Sequence, residues 1–218
     1  MVRSKSWVLG AVLSTVLLGL VLGACGDPEL EYVRSGEVQG SDATAFFKLP
    51  ADWRLFDQDD VIADRGDSLS QQEIDRVKAT QWVVVFDAAP KPALDHLSPD
   101  APHPTGFAQV RFVESQAEYD LDALRNEVFP LDRLGQRDDF ELIRDEDLTL
   151  PGRVEGFRVT FSYDEADKSA TVDLLSALDP GTNVIYILVI SCETACYERE
   201  KGAIEDILDS WTVESGLT

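Results

Sequence analysis

Three residues have the side chains that nucleophilic catalysis requires: Ser68, Asp100 and His103. A serine nucleophile needs a base that takes its proton, and the base needs an acid that orients it. A serine, a histidine and an aspartate could fill these three roles if the fold brings them together. The alternative interpretation is that Ser68 or Ser70 caps a helix.

The local spacing of these residues resembles that of the GDSL esterases. Residues 66–69 read Gly-Asp-Ser-Leu, and residues 100–103 read Asp-Ala-Pro-His, which matches the Asp-x-x-His pair of that family. In that family, however, the pair lies near the C-terminus, whereas more than a hundred residues follow it here. No Gly-x-Asn-Asp segment supplies oxyanion donors, and the preceding segment 57–65 is too charged for a buried strand. We therefore predict no catalytic site and keep the esterase as the alternative.

Metal binding has two candidate regions. His96 and His103 are the two histidines of the chain, and they share a proline-rich loop, residues 89–105, with Asp95 and Asp100. Imidazole and carboxylate are ligands for transition metals, although a stiff exposed loop also accounts for them. Clustered carboxylates are plausible calcium ligands, although none has the EF-hand spacing and solvated turns explain them equally well. The clusters are Asp57/Asp59/Asp60, Asp138/Asp139/Glu141, Asp145/Glu146/Asp147 and Asp164/Glu165/Asp167. We predict neither a metal nor a cofactor.

The net charge excludes one class of partner. The chain carries 41 acidic residues against 19 Lys and Arg, a formal charge of −22 at pH 7. Nucleic-acid binding depends on clustered cations that neutralise phosphates, and the sequence has no such cluster. We expect no nucleic-acid partner.

Cys25 is the candidate attachment site for a membrane anchor. Arg3 and Lys5 precede an uncharged apolar run, residues 7–24, which ends in Leu-Gly-Ala before Cys25. A basic start, an apolar middle and small residues before a cleavage point are typical of a secretory signal. The sequence Leu-Gly-Ala-Cys also resembles the lipobox of bacterial lipoproteins, which implies a diacylglyceryl thioether on Cys25 after cleavage of residues 1–24. An uncleaved transmembrane helix is the alternative, because about 18 apolar residues is the lower limit for a span.

The other two cysteines, Cys192 and Cys196, are predicted to form a disulfide. Outside the cytoplasm a close pair of thiols is expected to oxidise. Zinc would need two further ligands, and no Cys or His lies nearby. Three residues separate the thiols, so the pair is not a CxxC redox motif.

The hydrophobic patterns predict the elements that position these residues. Residues 26–44 are acidic and lack apolar periodicity, so we expect residues 25–44 to be a flexible tether of about 25 Å root-mean-square reach. Residues 45–214 form the globular domain. Its predicted helices cover residues 68–79 and 115–129, each opened by a capping box (Ser70 with Glu73, Ser115 with Glu118), and the C-terminal segment 197–211. Strands are predicted at residues 45–50, 81–88, 107–114, 140–150, 156–163, 169–179 and 183–191.

Short links between the late strands indicate antiparallel pairing, and helices must cover both faces of a sheet with doubly apolar strands. The fold class is therefore α+β, an α-β-α layered sandwich with a mostly antiparallel sheet.

The order of elements resembles that of PsbP-like domains. The resemblance rests on "FFKLPADW" (46–53), the long β-meander and the closing "ILDSWTV" (207–213), and it covers about residues 44–214. It implies an envelope lipoprotein of actinobacterial type whose domain docks to, or helps to assemble, a larger complex. No binding residue is carried over from the family.

The predicted function is a non-catalytic binding or assembly module on the extracytoplasmic side of the cell membrane. Its expected partners are the lipid bilayer, through acyl chains on Cys25, and an envelope protein or small ligand. The other alternative is an acidic surface protein that binds cations.

Overall fold

The computed structural model describes residues 29–38, 41–65, 69–114, 120–165, 167–179 and 183–214. The helices in these ranges are α1 Gln58–Asp64, α2 Gln71–Thr80, α3 Leu121–Val128, α4 Leu131–Leu134 and α5 Thr194–Asp209. The strands are β1 Leu30–Arg34, β2 Thr44–Pro50, β3 Arg54–Phe56, β4 Gln81–Asp87, β5 Thr105–Phe112, β6 Glu141–Leu150, β7 Val154–Glu165, β8 Lys168–Asp179, β9 Val184–Glu193 and β10 Thr212–Glu214. None of the described helices is long and apolar enough to cross a bilayer.

The strands form two sheets in the part of the chain that the structure describes. The large sheet has seven strands in the order β3-β4-β5-β9-β8-β7-β6, and the small sheet has three in the order β1-β2-β10. Each pairing between these strands is antiparallel. The predicted class, an α+β fold with a mostly antiparallel sheet, is confirmed.

The large sheet separates two hydrophobic cores. On one face, α5 and the small sheet pack against residues such as Phe86, Tyr186 and Leu188. On the opposite face, α3 and α4 cover a cluster that includes Phe161 and Leu174. Helices therefore lie on both faces, as the sequence predicts, but the small sheet is an addition to the predicted α-β-α layers.

Strand β9 lies at the centre of the large sheet because its side chains are apolar on both faces. Its residues from Val184 to Cys192 are all buried. Strand β7 alternates as predicted: Phe157 and Phe161 belong to the core under α3 and α4, whereas Arg158 and Thr160 lie on the face under α5. The second face of β7 is buried too, which puts a charged side chain inside the protein.

The predicted tether is wrong for its described part. Val33 pairs opposite Phe47 in the small sheet, and Val33, Val38 and Ala43 are all buried. Ser35 donates its backbone N–H to the carbonyl of Ala45 and accepts the Ala45 N–H on its Oγ, at 2.9 and 3.0 Å. Strand β1 has five residues with a single buried apolar side chain, so the periodicity is too short to be recognised. The domain therefore begins before residue 45.

The helix starts agree in part with the predicted caps. Ser70 and Glu73 form the predicted capping box of α2. The predicted box of Ser115 and Glu118 lies outside the described residues, and α3 is capped by Asp120, whose carboxylate accepts the N–H of Ala123. Helix α1 was not predicted; Asp57 caps it, so the first acidic cluster is a helix start.

The Cys192–Cys196 disulfide is present, as predicted. Cys192 lies in β9 and Cys196 in the first turn of α5, and both are buried. The bond therefore joins the central strand directly to the helix that covers it, which fixes the start of α5.

Candidate functional site

The two described residues of the alternative esterase triad, Asp100 and His103, are not paired with each other. Ser68 lies outside the described residues. The Asp100 carboxylate accepts a hydrogen bond from the Ser98 hydroxyl. No hydrogen bond or ion pair joins Asp100 to His103, both of which lie in described segments. No acid–base pair of the proposed triad is therefore formed.

The other histidine is paired instead. Asp87, at the end of β4, is only 1% exposed, and its Oδ2 lies 2.7 Å from His96 Nδ1. The same carboxylate accepts the N–H groups of Ala89 and Ala93 at 2.8 and 2.9 Å. Asp87 thus fastens the start of the proline-rich loop to the sheet, and His96 adds a third contact to that fastening.

Three of the four acidic clusters contain at least one carboxylate paired with arginine or lysine. Asp59 binds Lys78 at 2.6 Å, and Asp139 accepts two hydrogen bonds from Arg137. These bonds lower the pKa of Asp139 to about 2. Along β6, Asp145 and Asp147 face Arg125 on α3, whereas Glu146 faces Arg144. Within the described residues, no three His, Cys, Asp or Glu side chains are arranged to hold a metal ion.

Cys25, the predicted lipidation site, also lies outside the described residues. Leu30, where β1 starts, lies five positions after Cys25.

A pocket of about 320 Å³ lies where the small sheet meets the β3 edge of the large sheet. We call it the tryptophan pocket. Its apolar wall consists of half-buried or buried side chains from β2, β3 and β4 and from the turn between β2 and β3: Leu49, Pro50, Trp53, Leu55, Trp82 and Val84. Its remaining lining comes from β1 and from the start of α1: Glu31, Tyr32, Val33, Arg34 and Asp57. A volume of this size is typical of a site for a small organic molecule.

Two contacts hold the tryptophans in place. The Trp53 ring packs on Phe86 with centroids 6.1 Å apart, and Phe86 is fully buried. Gly36 lies against the Trp82 indole so closely that a Cβ at this position would be 3.2 Å from Trp82 Cδ1. The segment that follows β1, predicted as tether, therefore supports a wall of the pocket.

The described lining of the pocket is mostly apolar and has a few ionisable side chains. Its described lining contains no Ser, Thr, Cys, His or Lys. The ionisable side chains are those of Glu31, Arg34, Asp57 and Tyr32, and the rest are apolar. Such a site can bury the apolar part of a ligand and orient its polar part.

A second polar feature, a buried ion-pair network, lies under α5. Asp173, on β8, is fully buried and accepts bonds from Arg158 Nε and Nη2 at 3.0 and 2.8 Å and from the Tyr197 hydroxyl at 2.8 Å. Arg158 also donates to Glu205 at 2.8 Å, and Arg144 lies 3.3 Å from the same carboxylate.

The surroundings of Arg158 and Tyr197 raise the pKa of both side chains. Burial by itself lowers the pKa of Arg158, but the hydrogen bonds and negative charges of Asp173 and Glu205 raise it above its usual value. Burial, then the charge of Asp173, raises the pKa of Tyr197. Arg158 therefore stays charged and Tyr197 stays neutral. Because Arg158 and Asp173 are 6% and 0% exposed, the centre of the network is shielded from solutes, and it fastens α5 to the sheet.

No known protein-family profile matches the sequence, and no curated protein matches it. Solved structures resemble it at low identity. LpqN of Mycobacterium tuberculosis, involved in cell envelope biogenesis, has a TM-score of 0.48 and 15% identity, covering 86% of this chain and 92% of LpqN. The cyanobacterial PsbP (CyanoP) of Synechocystis has a TM-score of 0.46 and 12% identity, covering 88% and 99%. The Ran-binding protein Mog1p of Saccharomyces cerevisiae has a TM-score of 0.44 and 12% identity, covering 84% and 95%.

These similarities concern chain architecture only. CyanoP is a PsbP, the family that the sequence resembles, but all three TM-scores are below 0.5. None of them carries a conclusion about what this protein binds.

Proposed function

We propose that this protein is a non-catalytic, lipid-anchored binding module on the extracytoplasmic side of a membrane, and that it holds a small ligand in the tryptophan pocket. The observation that carries the proposal is the pocket itself. It combines two tryptophans and several aliphatic side chains with two carboxylates, and its described lining has no nucleophile–base pair.

The anchor is proposed from the sequence Leu-Gly-Ala-Cys at residues 22–25. Two acyl chains hold a protein on a bilayer stably, whereas a single chain binds only marginally. The Cys192–Cys196 disulfide supports an oxidising compartment. The formal charge of −22 disfavours direct contact with anionic lipid headgroups, so the acyl chains would supply the attachment.

The position of β1 brings the pocket near the proposed anchor. A chain of five residues spans at most about 18 Å when it is fully extended. A lipid on Cys25 would therefore hold β1, which lines the pocket, within that distance of the bilayer. The protein would present the pocket close to the membrane surface, and not at the end of a long tether.

The anchor is tested by intact-mass analysis of the protein extracted from membranes. We expect a chain that begins at Cys25 and carries a diacylglyceryl group, and we expect Cys25→Ser to release the protein from the membrane. An unmodified chain that still begins at Met1 would rule the anchor out.

Ligand binding is tested by native mass spectrometry of the same membrane-extracted protein. We expect a small-molecule adduct on the wild type that is lost in Trp82→Ala and kept in Leu142→Ala, since Leu142 is 53% exposed on β6 and lies outside the pocket. Absence of an adduct on the wild type, or equal retention by both variants, would contradict the pocket as the binding site. Crosslinking in intact membranes is the matching test for an envelope protein partner.

A further inference from the structure

The ligand class of the tryptophan pocket follows from which charged side chains face it. In an antiparallel pair, residues directly opposite each other point to the same face of the sheet. Glu31 pairs with Leu49 and Val33 with Phe47, and Val33, Phe47 and Leu49 are buried in the core. The Glu31 side chain therefore lies on the inward face of the small sheet, the face that lines the pocket.

The cations of the same strands lie on the outward face. Tyr32 pairs with Lys48, and the Lys48 ammonium lies 5.0 Å from the Tyr32 ring centroid. Arg34 pairs with Phe46, and its guanidinium lies 5.6 Å from the Phe46 ring centroid. Arg34 and Tyr32 thus border the pocket along the edge of β1, while their side chains contact Phe46 and Lys48 on the outward face of the small sheet. Arg34 is the one Lys or Arg among the described lining residues.

The lining has a second acidic residue. Asp57 lines the pocket, and its Oδ1 is held by the N–H groups of Asp59 and Asp60, both at 2.9 Å. These bonds fix the carboxylate at the pocket while leaving Oδ2 with lone pairs to accept from a ligand. The pocket is therefore lined by two indole rings and two carboxylates, whereas the guanidinium of its one described lining cation, Arg34, lies against Phe46.

Indole is the best aromatic partner for a cation, and it attracts a desolvated ammonium through the negative face of its ring. Carboxylates at the rim also attract a cationic ligand by Coulomb interaction, and the chain's formal charge of −22 raises the local concentration of cations. An anionic ligand would meet repulsion from each of these sources. A neutral ligand would gain only the apolar wall.

We propose that the tryptophan pocket binds an organic cation with an apolar body, of which a quaternary ammonium is the simplest example. This inference rests on the proposed function, because it names the ligand class of the same pocket.

The test compares a charged ligand with its neutral isostere. Choline and 3,3-dimethylbutan-1-ol have the same shape and differ by the charge on one atom. Isothermal titration calorimetry of the full chain in detergent micelles, together with tryptophan fluorescence, should give a choline affinity about 5- to 30-fold higher than that of the alcohol.

Three variants locate the effect. Trp82→Leu should reduce the preference for the charged ligand, because the cation loses one of the two indole rings while Trp53 and the carboxylates remain. Glu31→Gln and Asp57→Asn should each weaken choline binding by about 2- to 5-fold and leave alcohol binding unchanged. Asn is also a good helix cap, so Asp57→Asn retains the start of α1. Glu198→Gln, an exposed carboxylate on α5 outside the pocket, is the matched control and should change neither ligand.

Two results would overturn the inference. If the alcohol binds as tightly as choline and Trp82→Leu weakens both, the pocket binds an apolar ligand; the proposed function then stands and the cation inference fails. If choline does not bind at millimolar concentration, the cation inference fails as well. The adduct experiment on membrane-extracted protein tests the proposed function separately.

Discussion

The substitution Asp173→Asn tests the account of the buried network under α5. Asparagine keeps the size of the side chain but removes the charge that faces Arg158, and its NH₂ group cannot accept the guanidinium hydrogens. Asp173 is fully buried and accepts three hydrogen bonds from Arg158 and Tyr197. The change therefore leaves a buried guanidinium and a buried hydroxyl with part of their partners missing.

The expected loss follows from the contacts that remain. Removal of one member of a buried ion pair costs about 3–5 kcal/mol. Glu205 stays 2.8 Å from Arg158 Nη2, so we expect the lower end of this range, about 3 kcal/mol. For a domain of this size the loss corresponds to a decrease of about 6–12 °C in Tm.

Urea denaturation of the full chain measures this loss, with circular dichroism and tryptophan fluorescence as independent probes of one transition. Asp145→Asn is the matched control, because Asp145 pairs with Arg125 at the surface with its side chain 43% exposed. The control should cost less than about 1 kcal/mol. Replacement of both partners, Arg158→Met with Asp173→Leu, should restore most of the stability, since no buried charge remains unpaired. An Asp173→Asn loss as small as that of the control would refute the account.

Three further predictions concern packing, pH and the disulfide. Gly106→Ala should prevent folding, because a Cβ there would lie 2.1 Å from the carbonyl oxygen of Val189. Gly202 is a residue of α5, and a Cβ there would have no atom within 4 Å, so Gly202→Ala should raise the stability measured in thermal melts by about 1 kcal/mol. Burial raises the pKa of Glu205, but the hydrogen bonds and charge of Arg158 lower this pKa overall below 4.5. The contribution of Glu205 to stability is therefore complete above pH 4.5 and is lost as the pH falls through the folded-state pKa. Glu205→Gln should flatten the fall in the unfolding free energy between about pH 5 and pH 3, and an unchanged slope would show that other carboxyls cause it. Replacement of Cys192 and Cys196 by alanine should cost about 2 kcal/mol in urea, and an unchanged midpoint would show that the bond adds no stability.

The sequence predicts correctly those elements whose signal lies in residues that are adjacent along the chain. The unbroken apolar run of β9 indicates a strand covered on both faces, and β9 is the central strand of the large sheet. The capping box of Ser70 and Glu73 depends only on the backbone of neighbouring residues, so helix α2 starts at the predicted cap.

Features that depend on distant pairing could not be predicted in this way. Strand β1 is stabilised by its register with β2, and its five residues carry too little apolar signal to distinguish it from a tether. Trp53 and Trp82 pack on the core and also line a pocket, which depends on the pairing of distant segments because β1, β2, β3 and β4 all contribute to it. The alternation of β7 places Arg158 opposite the Phe157 face, but only the packing of α5 shows that this arginine is buried.

Fluorine NMR of the chain labelled with 5-fluorotryptophan tests the central claim most directly. Trp53 and Trp82 line the pocket, whereas Trp211 is 7% exposed in the core beside α5, and single Trp→Phe variants assign each signal. Titration with choline should shift the Trp53 and Trp82 signals to a common saturation point and leave Trp211 unchanged. Unchanged Trp53 and Trp82 signals, or a shift of Trp211 equal to theirs, would contradict the account of this pocket as the binding site.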